Sequence, residues 1–502
     1  MKSVTQLFSQ TLVGSALVLA TAQTIYAAEP PAPVPPKKSA GLLNDSLRQN
    51  STNFAPWDIG GGLRLRYEDH EGYGVAGSPG SIDFRDHGAN ISNDYFLSRL
   101  RLHFGYSDKW WGVYVEGRSS LAWSDERFAS TAPVPKKGRG PESDSIDLHQ
   151  AFFTLGNLKE FPLSLKIGRQ ELAYGDERLV GPVGWNNIGR VFDAAKLRWQ
   201  TDAFSAEFFT SRTVIPEDGR FNVENDYDFF SGIYATTSKL PKHSVDLYFF
   251  ARNSSPNAAT AEPSPQSPQP SARDIYTIGT RIKSLAGQFG SWDYSLEAAG
   301  QFGDFRDPRA GATTQRLEHE AFAVIVQAGY TFTNLWSKPR LALEYNFASG
   351  DSDAKDGKHE TFENLFPTNH KFYGYMDFFS LQNIHDVRGI LQFKPCPKLN
   401  VSLEGHGFWL ADTHDSFYTV GGGARGGTAT TSGNGYGVNP KYGNFVGMEL
   451  DISGNYAFTT YANIEAGYGH FFHGDYIAQS LAAPSHGSRD ADFVYLQLNV
   501  NF

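Results

Sequence analysis

Arginines recur at alternate positions in several short stretches of the sequence. Arg64 and Arg66 are two residues apart, as are Arg99 and Arg101, and leucines alternate with them. Because successive side chains of a β-strand point to opposite faces, each arginine pair shares one face and the leucines share the other. A guanidinium group binds a carboxylate through two parallel hydrogen bonds. The spacing therefore indicates polar strand faces that attract anions.

The same alternation assigns basic residues to the polar faces of several other stretches. Acidic residues share those faces, among them Glu68, Glu116, Glu171, Glu207 and Glu404. A given basic residue can therefore either contact a solute or pair with an acid as a structural support. The candidates for an anion pathway are Arg64, Arg66, Arg99, Arg101, Arg118, Lys166, Arg169, Arg190, Lys196, Arg198, Arg281 and Arg388.

Strand-like runs position these residues. From Trp57 onward the chain reads as roughly eighteen runs of about 9–13 residues, close to the length of a tilted membrane strand. None of the chain after residue 57 reads as an amphipathic helix of ordinary length. The runs begin near Trp57, Asp94, Trp110, Ser145, Leu163, Arg190, Ala203, Asp228, His243, Asp274, Ser291, Glu318, Arg340, Asp386, Leu399, Phe445, Tyr461 and Arg489.

The connections between the runs alternate in length. Short turns fall at residues 107–109, 158–162, 201–202, 238–242, 285–290, 334–339, 394–398 and 455–460, and long loops at 70–93, 125–144, 173–189, 216–227, 254–273, 303–316, 350–385, 411–444 and 473–488. This asymmetry is typical of outer-membrane barrels, with short periplasmic turns and long extracellular loops. The sequence therefore predicts an all-β fold, a transmembrane antiparallel β-barrel of about eighteen strands.

The barrel fixes the direction of the charged faces. An Arg or Lys that faced lipid at the bilayer midplane would cost about 2–4 kcal/mol. The basic residues must therefore point into the lumen, which is then a conduit that attracts anions. Arg169 conflicts with this rule, because the alternation that turns Lys166 inward turns Arg169 outward. We expect a β-bulge at Gly168 to shift the register and return Arg169 to the lumen.

The two ends of the chain predict its localisation. Residues 1–28 read as a cleaved secretory signal peptide, residues 29–56 as a Pro-rich periplasmic segment, and residues 57–502 as the barrel. The last run ends with Phe502 on its apolar face, which resembles the assembly signal of bacterial outer-membrane barrels. We therefore expect the outer membrane as the location, with its lipid and the barrel-assembly machinery as partners.

Composition excludes other classes. The net charge of -10 argues against a nucleic-acid partner that is recognised through the overall field. The single cysteine, Cys396, excludes an intramolecular disulfide. No apolar run after the N-terminus approaches the roughly 18 residues that a membrane helix requires.

Two blocks of sequence resemble a known family. The first runs from Gly168 to Leu172, through Gly175–Gly181, to Trp185–Asn187 and Phe192–Asp193, and the second runs from Phe347 to Asp351 and through Phe362–His370 to Tyr373–Asp377. Together they are similar to the alginate-export family of outer-membrane β-barrels. The resemblance covers about residues 57–502. It implies an eighteen-stranded barrel whose electropositive lumen exports a polyuronate, with Arg169 as a pore-lining residue.

Other chemistry has weaker support in the sequence. Asp351, Asp353 and Asp356 suggest a Ca²⁺ loop, but Lys355 stands where the EF-hand pattern requires an acid. Apart from this loop, we expect neither a cofactor nor a metal. An outer-membrane hydrolase would need a nucleophile oriented by a histidine, and no spacing among Ser402, His406 and His414 singles out a triad. We therefore predict that the chain is not an enzyme.

Two functions remain open within the barrel fold. The first is export of an anionic saccharide such as an alginate-like polyuronate, and the second is uptake of small organic anions or aromatics by a substrate-specific porin. The loop at 350–385 is long enough to fold inward. Its aromatic residues are expected either to stack on sugar rings or to pack against the wall: Phe372, Tyr373, Tyr375, Phe378 and Phe379.

Overall fold

The computed structural model describes residues 41–74, 83–88, 90–127, 141–254, 272–306, 316–426, 435–482 and 484–502. The predicted signal peptide (1–28) and the first part of the Pro-rich segment lie outside the described residues. Among the described residues, no helix is both long and apolar enough to cross a membrane.

The described residues form a closed antiparallel barrel of eighteen strands. Each strand pairs with the next, and the last strand pairs with the first. The strands are β1 (Trp57–Glu71), β2 (Asn93–Ser107), β3 (Trp111–Trp123), β4 (Asp144–Leu155), β5 (Leu163–Gln170), β6 (Phe192–Gln200), β7 (Phe204–Ile215), β8 (Val223–Thr237), β9 (His243–Ser254), β10 (Arg273–Ser284), β11 (Trp292–Phe305), β12 (Leu317–Thr331), β13 (Arg340–Ala348), β14 (Ile384–Cys396), β15 (Leu399–Leu410), β16 (Phe445–Ala457), β17 (Ala462–His473) and β18 (Ala491–Asn501). A two-residue strand, Lys358–His359, lies beside β12.

The predicted fold is confirmed. Each strand begins close to the start of a predicted run, and short turns alternate with longer connections around the barrel. One connection differs from the prediction, because β8 begins at Val223 rather than near Asp228 and leaves only residues 216–222 between β7 and β8. We call the two ends of the barrel the turn end and the loop end.

Alternation of side chains produces the expected apolar belt. On β2, Leu100, Leu102 and Phe104 are 36–52% exposed on the outside, and Arg99 and Arg101 occupy the opposite face. The other strands contribute exposed apolar residues to the same belt, for example Val113, Phe153, Ile167, Leu197, Phe208, Ile233, Leu247, Ile278, Leu296, Val326, Leu343, Leu403, Leu450 and Leu496.

A short helix fastens the closure of the barrel. Helix α1 (Leu42–Asn50) lies at the turn end, beside the pairing of β1 with β18. Asn44 Oδ1 accepts a hydrogen bond from the backbone N–H of Ile59 (3.1 Å), and its amide donates to Asp58. The backbone of Phe502 exchanges hydrogen bonds with Gly61. The C-terminal residue is therefore part of the seam; its recognition by assembly machinery remains a prediction.

Two loops fold into the barrel and fill much of its loop end. Loop A comprises residues 171–191, between β5 and β6, and loop B comprises residues 349–383, between β13 and β14. A second helix, α2 (Asp475–Ala482), packs beside β16 near the loop end. Residues of both loops are buried together with aromatic residues of the wall, including Leu172, Leu179, Val180, Phe362, Phe366, Phe372, Tyr373, Phe378, Phe192, Phe230 and Phe408.

Candidate functional site

Loop A crosses the interior and is held to β1 and β2 by arginines. Arg64 Nη1 donates to the carbonyl oxygens of Gly184 (3.0 Å) and Trp185 (2.8 Å). Arg99 Nη1 donates to the carbonyl oxygens of Gly184 (3.0 Å) and Asn186 (3.1 Å). Arg64 and Arg99 stand directly opposite each other in the β1–β2 register. Among the described residues, neither has a carboxylate oxygen within 4.0 Å.

Arg66, which is two residues after Arg64 on β1, supports the same loop. Its guanidinium group lies 3.8 Å from the ring centroid of Trp185 and donates to the Trp185 carbonyl oxygen at 2.8 Å. The Arg66 side chain is fully buried and forms an ion pair with Glu68 at 2.5 Å. Arg66 is therefore a support for Trp185.

The far part of loop A is fastened to other walls. Asp176 forms ion pairs with Arg281 (2.6 Å) and Lys283 (3.2 Å) on β10. Arg178 forms an ion pair with Glu344 on β13 at 2.6 Å. On the return path, Arg118 donates to the carbonyl oxygen of Ile188 at 2.8 Å. Loop A thus spans the barrel and has polar anchors on opposite sides.

Loops A and B pair with each other inside the barrel. Val180 and Phe366 form a parallel bridge, with hydrogen bonds from Gly181 N to Phe366 O (2.8 Å) and from Phe366 N to Leu179 O (2.9 Å). Further along, the ring of Trp185 stacks on that of His370, with centroids 4.0 Å apart and planes at 11°. The two loops therefore meet both in a short backbone ladder and in an aromatic stack.

A large cavity lies between these loops and the turn end. Its volume is about 1030 Å³, and the turn at Gly287 and Gly290 lies on its border. We call this cavity the vestibule. Residues at its loop-facing end include Arg64, Arg99, Trp185, His370, Lys371 and Tyr375.

Most of the other predicted pathway cations are paired with acids. Arg101 is 3.2 Å from Glu171, and Lys196 (3.0 Å) and Arg198 (2.7 Å) share Glu207. Arg281 is bound by Asp176 and Asp246, and Arg388 by Glu344 and Glu404. These ion pairs have a structural role, because they join neighbouring strands and loop A inside the barrel. Lys166 differs, because its ammonium group lies 3.6 Å from the ring centroid of Phe152.

Two predicted pathway residues lie elsewhere than expected. The bulge predicted at Gly168 is absent, since β5 pairs without a register shift with both β4 and β6. Arg169 is opposite Asp193 and donates to it at 2.8 and 3.0 Å. Both neighbours of Asp193, Phe192 and Ala194, belong to the interior core, so the Arg169–Asp193 pair lies on the other face of the wall.

Register shifts occur between β3 and β4 instead: His149 has no ladder partner beside Glu116, and a second shift lies between Arg118 and Ser120. Arg190 also differs from its predicted place in a strand. It lies in loop A, where Nη1 donates to the carbonyl oxygens of Gly181 and Pro367, each at 3.1 Å. Arg190 thus ties loop A to loop B.

Comparison with known proteins identifies the family. No curated protein sequence matches the chain. The sequence model described as alginate export matches residues 79–488. The chain belongs to the alginate export family. As a member of this family with a closed barrel, it is a channel of the outer membrane; the short turns are then periplasmic and the long loops extracellular.

Solved structures show the same fold as this alginate export family member. Pseudomonas aeruginosa OccK11 (OpdR) is 12% identical, with a TM-score of 0.51 over 89% of this chain and 96% of that one. Acinetobacter baumannii OccAB4 is 12% identical, with a TM-score of 0.52 over 89% and 97%. Pseudomonas aeruginosa OpdK, solved with vanillate, is 12% identical, with a TM-score of 0.52 over 89% and 98%. At this identity the likeness shows the fold.

The aromatic residues of loop B divide between the two predicted roles. Phe372, Tyr373, Phe378 and Phe379 are buried in the interior core. Tyr375 borders the vestibule, and its hydroxyl lies 3.1 Å from Ser453 Oγ. Of the five, Tyr375 and Phe372 therefore border the vestibule, and the Phe372 side chain is largely buried.

The weak Ca²⁺ candidate is not assembled in the described part of loop B. Asp351, Asp353 and Asp356 each accept a hydrogen bond from the backbone N–H two residues further on. Such local turns occupy carboxylate oxygens. No group of three acids, histidines or cysteines able to hold a metal occurs within the described residues.

The residues considered for hydrolysis do not form a triad. Ser402 Oγ donates to Glu404 (3.0 Å), and His406 Nδ1 lies 3.0 Å from Asp386. A Ser–His–Asp series occurs at the extracellular rim, where His473 Nε2 is 3.1 Å from Ser488 Oγ and Nδ1 is 2.5 Å from Asp490. These side chains are partly exposed and lie apart from the vestibule. That the chain is not an enzyme stays a prediction.

Sequence reasoning missed four residues of the site. Trp185, His370 and Lys371 border the vestibule, and Arg178 lies behind them, 3.6 Å from the ring centroid of Phe372. Arg178, Trp185 and His370 lie inside the sequence blocks that carried the family resemblance, so the blocks were the available signal. The alternation of side chains along strands could not identify these residues, because they lie in loops.

Proposed function

We propose that this outer-membrane channel conducts carboxylated saccharides, including alginate-like polyuronates. The observation that carries the proposal is the pair Arg64 and Arg99. Their guanidinium groups are 3.0 Å from a shared carbonyl oxygen and have no carboxylate within 4.0 Å among the described residues. Two cations that keep their charge at the edge of the vestibule attract an anion.

The surroundings of this pair suit a saccharide. Tyr375 and the edge of the Trp185–His370 stack border the same cavity, together with polar side chains such as Gln392 and Asn499. Aromatic rings pack against the apolar faces of pyranose rings, and amides bind hydroxyl groups. A uronate presents all three chemistries at once: a ring face, hydroxyl groups and a carboxylate.

A second candidate is uptake of small organic anions. It is favoured by the contact between loops A and B across the interior, which leaves a vestibule of about 1030 Å³ rather than a wide bore. Ligand sites of about this size hold a single small molecule. OpdK, a barrel of this fold, was solved with vanillate, which is a small aromatic acid.

Solute flux into proteoliposomes distinguishes the two. The experiment compares swelling rates in a galacturonate monomer, an oligouronate and benzoate, each matched with a neutral analogue of similar size. Faster entry of both uronates than of the neutral sugars supports the proposal. Rapid entry of benzoate and of the monomer with exclusion of the oligomer supports the second candidate. Equal rates for anions and neutral analogues contradict both.

A further inference from the structure

We propose that Trp185 and His370 form the clasp of a gate, and that a large solute passes when loops A and B part at this stack. The Val180–Phe366 ladder stays closed and acts as the hinge. The inference deepens the proposed function, because it concerns how the same pathway opens. It concerns size rather than charge, so it is tested separately.

The anchors of loop A show that this loop does not swing from the wall. Arg64, Arg66 and Arg99 together donate to three consecutive carbonyl groups, those of Gly184, Trp185 and Asn186. Arg66 is fully buried and Arg64 nearly so. Withdrawing the loop would take carbonyl acceptors away from these buried guanidinium groups, which is costly.

Loop B has its own anchors on the wall, at β9, β10 and β16. The Glu363 carboxylate forms ion pairs with Arg252 on β9 (2.6 Å) and with Arg273 on β10. The backbone N–H of Met376 donates to Glu449 Oε1 on β16 at 3.0 Å. Loop B therefore also stays with its wall, and the seam between the loops is the remaining place for an opening.

The seam itself has a strong part and a weak part. Around Val180 and Phe366 it consists of backbone hydrogen bonds among residues that are buried in the core. Toward the vestibule the backbone N–H of Thr368 still donates to the carbonyl oxygen of Glu177 (3.0 Å), and that of Val183 donates to Thr368 Oγ1 (3.3 Å). Beyond Thr368 the seam consists of the Trp185–His370 stack and of a 3.7 Å approach of Lys371 to Glu177, in which Lys371 is half exposed. Exposed ion pairs are weak, and water replaces them readily.

The vestibule side also offers space for the movement. Gly184 is exposed, and a Cβ atom built on it would have no atom within 4 Å. The edge of Trp185 borders the same cavity. Lateral displacement of His370 away from Trp185 would leave Trp185 supported by Arg66 on its other face. The clasp can thus part while both loops remain fixed.

Crosslinking tests the clasp. All variants carry Cys396→Ser, because Cys396 is exposed and free. The double variant Trp185→Cys/His370→Cys is closed with a short bifunctional thiol reagent that is cleaved by dithiothreitol. Swelling is measured in a neutral trisaccharide and, for comparison, in glycerol. Use of neutral solutes makes the result independent of the proposed anion preference.

The matched control locks the hinge instead. Val180 and Phe366 are bridge partners, so their Cα atoms are within the distance that a disulfide spans, and Val180→Cys/Phe366→Cys is oxidised directly. Folding of every variant is checked by the heat-dependent gel mobility of the barrel. Gln49→Ala, at an exposed position of α1, serves as a second check on folding and is expected to match the parent.

The expected result is loss of trisaccharide entry on closing the clasp, to the level of protein-free liposomes, with recovery after reduction. Glycerol entry persists, and oxidation of the Val180/Phe366 pair changes neither rate. Trisaccharide entry that is unchanged by the clasp crosslink would overturn the inference. Equal loss with the hinge crosslink would also overturn it, because the ladder would then be the moving part.

Discussion

Arg64 and Arg99 face each other directly across β1 and β2 and donate to the same acceptor, the carbonyl oxygen of Gly184, at 3.0 Å each. Like charges directly opposite on neighbouring strands are destabilising. A shared carbonyl dipole offsets only part of this repulsion, and among the described residues no carboxylate lies within 4.0 Å of either group. The arrangement therefore retains positive charge beside the vestibule.

Replacement of Arg99 should weaken block by a uronate. The change Arg99→Gln removes one of the two guanidinium groups, and a hydrogen bond to a charged group contributes about 1.5–3 kcal/mol. We expect the concentration of a uronate trisaccharide that half-blocks the current to rise about tenfold or more. Arg169→Gln is the control, because Arg169 faces away from the interior core, and its block should equal that of the parent.

Replacement of Arg66 should lower the stability of the barrel. Arg66→Met leaves the buried carboxylate of Glu68 without its guanidinium partner, which costs about 3–5 kcal/mol. Urea unfolding in lipid vesicles measures the change. The double variant Arg66→Met/Glu68→Gln should recover part of the loss, and a double variant as unstable as the single one would contradict the assigned pairing.

Acid should weaken one anchor of loop A. Burial alone would raise the pKa of the Glu171 carboxyl group, but the hydrogen bond from His149 and the charge of Arg101 lower that pKa from 4.5 to about 2. A depressed pKa gives stability that is complete above about pH 4.5 and is lost as the pH falls toward 2. We expect Glu171→Gln to be less stable than the parent by on the order of 2 kcal/mol at pH 7.

The pH dependence of that difference is the decisive observation. The gap in unfolding free energy between parent and Glu171→Gln should be constant from pH 7 to about 4.5 and should shrink at lower pH. A gap that does not change between pH 5 and pH 3 would show that the carboxylate charge contributes nothing. Gln49→Ala, on an exposed position of α1, gives the baseline for an uninvolved substitution.

The seam between the first and last strands should depend on α1. Asn44 is buried and bridges Asp58 and the backbone of Ile59. Asn44→Ala removes the acceptor of the Ile59 N–H and one of the partners of Asp58, at a cost of about 1–3 kcal/mol. The temperature at which the folded band disappears on a gel should fall for Asn44→Ala and stay unchanged for Gln49→Ala.

The strands were predictable because their signal is local. A period of two, turns of few residues and the high cost of a charge in lipid are readable from neighbours in the chain. The roles of the arginines were not predictable, because their partners come from far away. Arg64, for example, binds carbonyl groups of Gly184 and Trp185, which lie in a loop whose path depends on the closed barrel.

The error at Arg169 has a specific physical origin. Gly168 has a φ of 124°, and a Cβ atom there would lie 2.2 Å from the carbonyl oxygen of Ala151. The glycine thus permits close approach of β4 without a change in register. A register shift falls at His149 in β4, where the side chain joins Arg118 to Glu171.

The reversal potential of the purified channel in a planar bilayer under a KCl gradient tests the central claim most directly. We predict chloride selectivity that falls in Arg99→Gln, together with block of the current by added oligouronate. Cation selectivity, or an anion preference that is indifferent to both Arg99→Gln and oligouronate, would contradict a conduit for carboxylated saccharides.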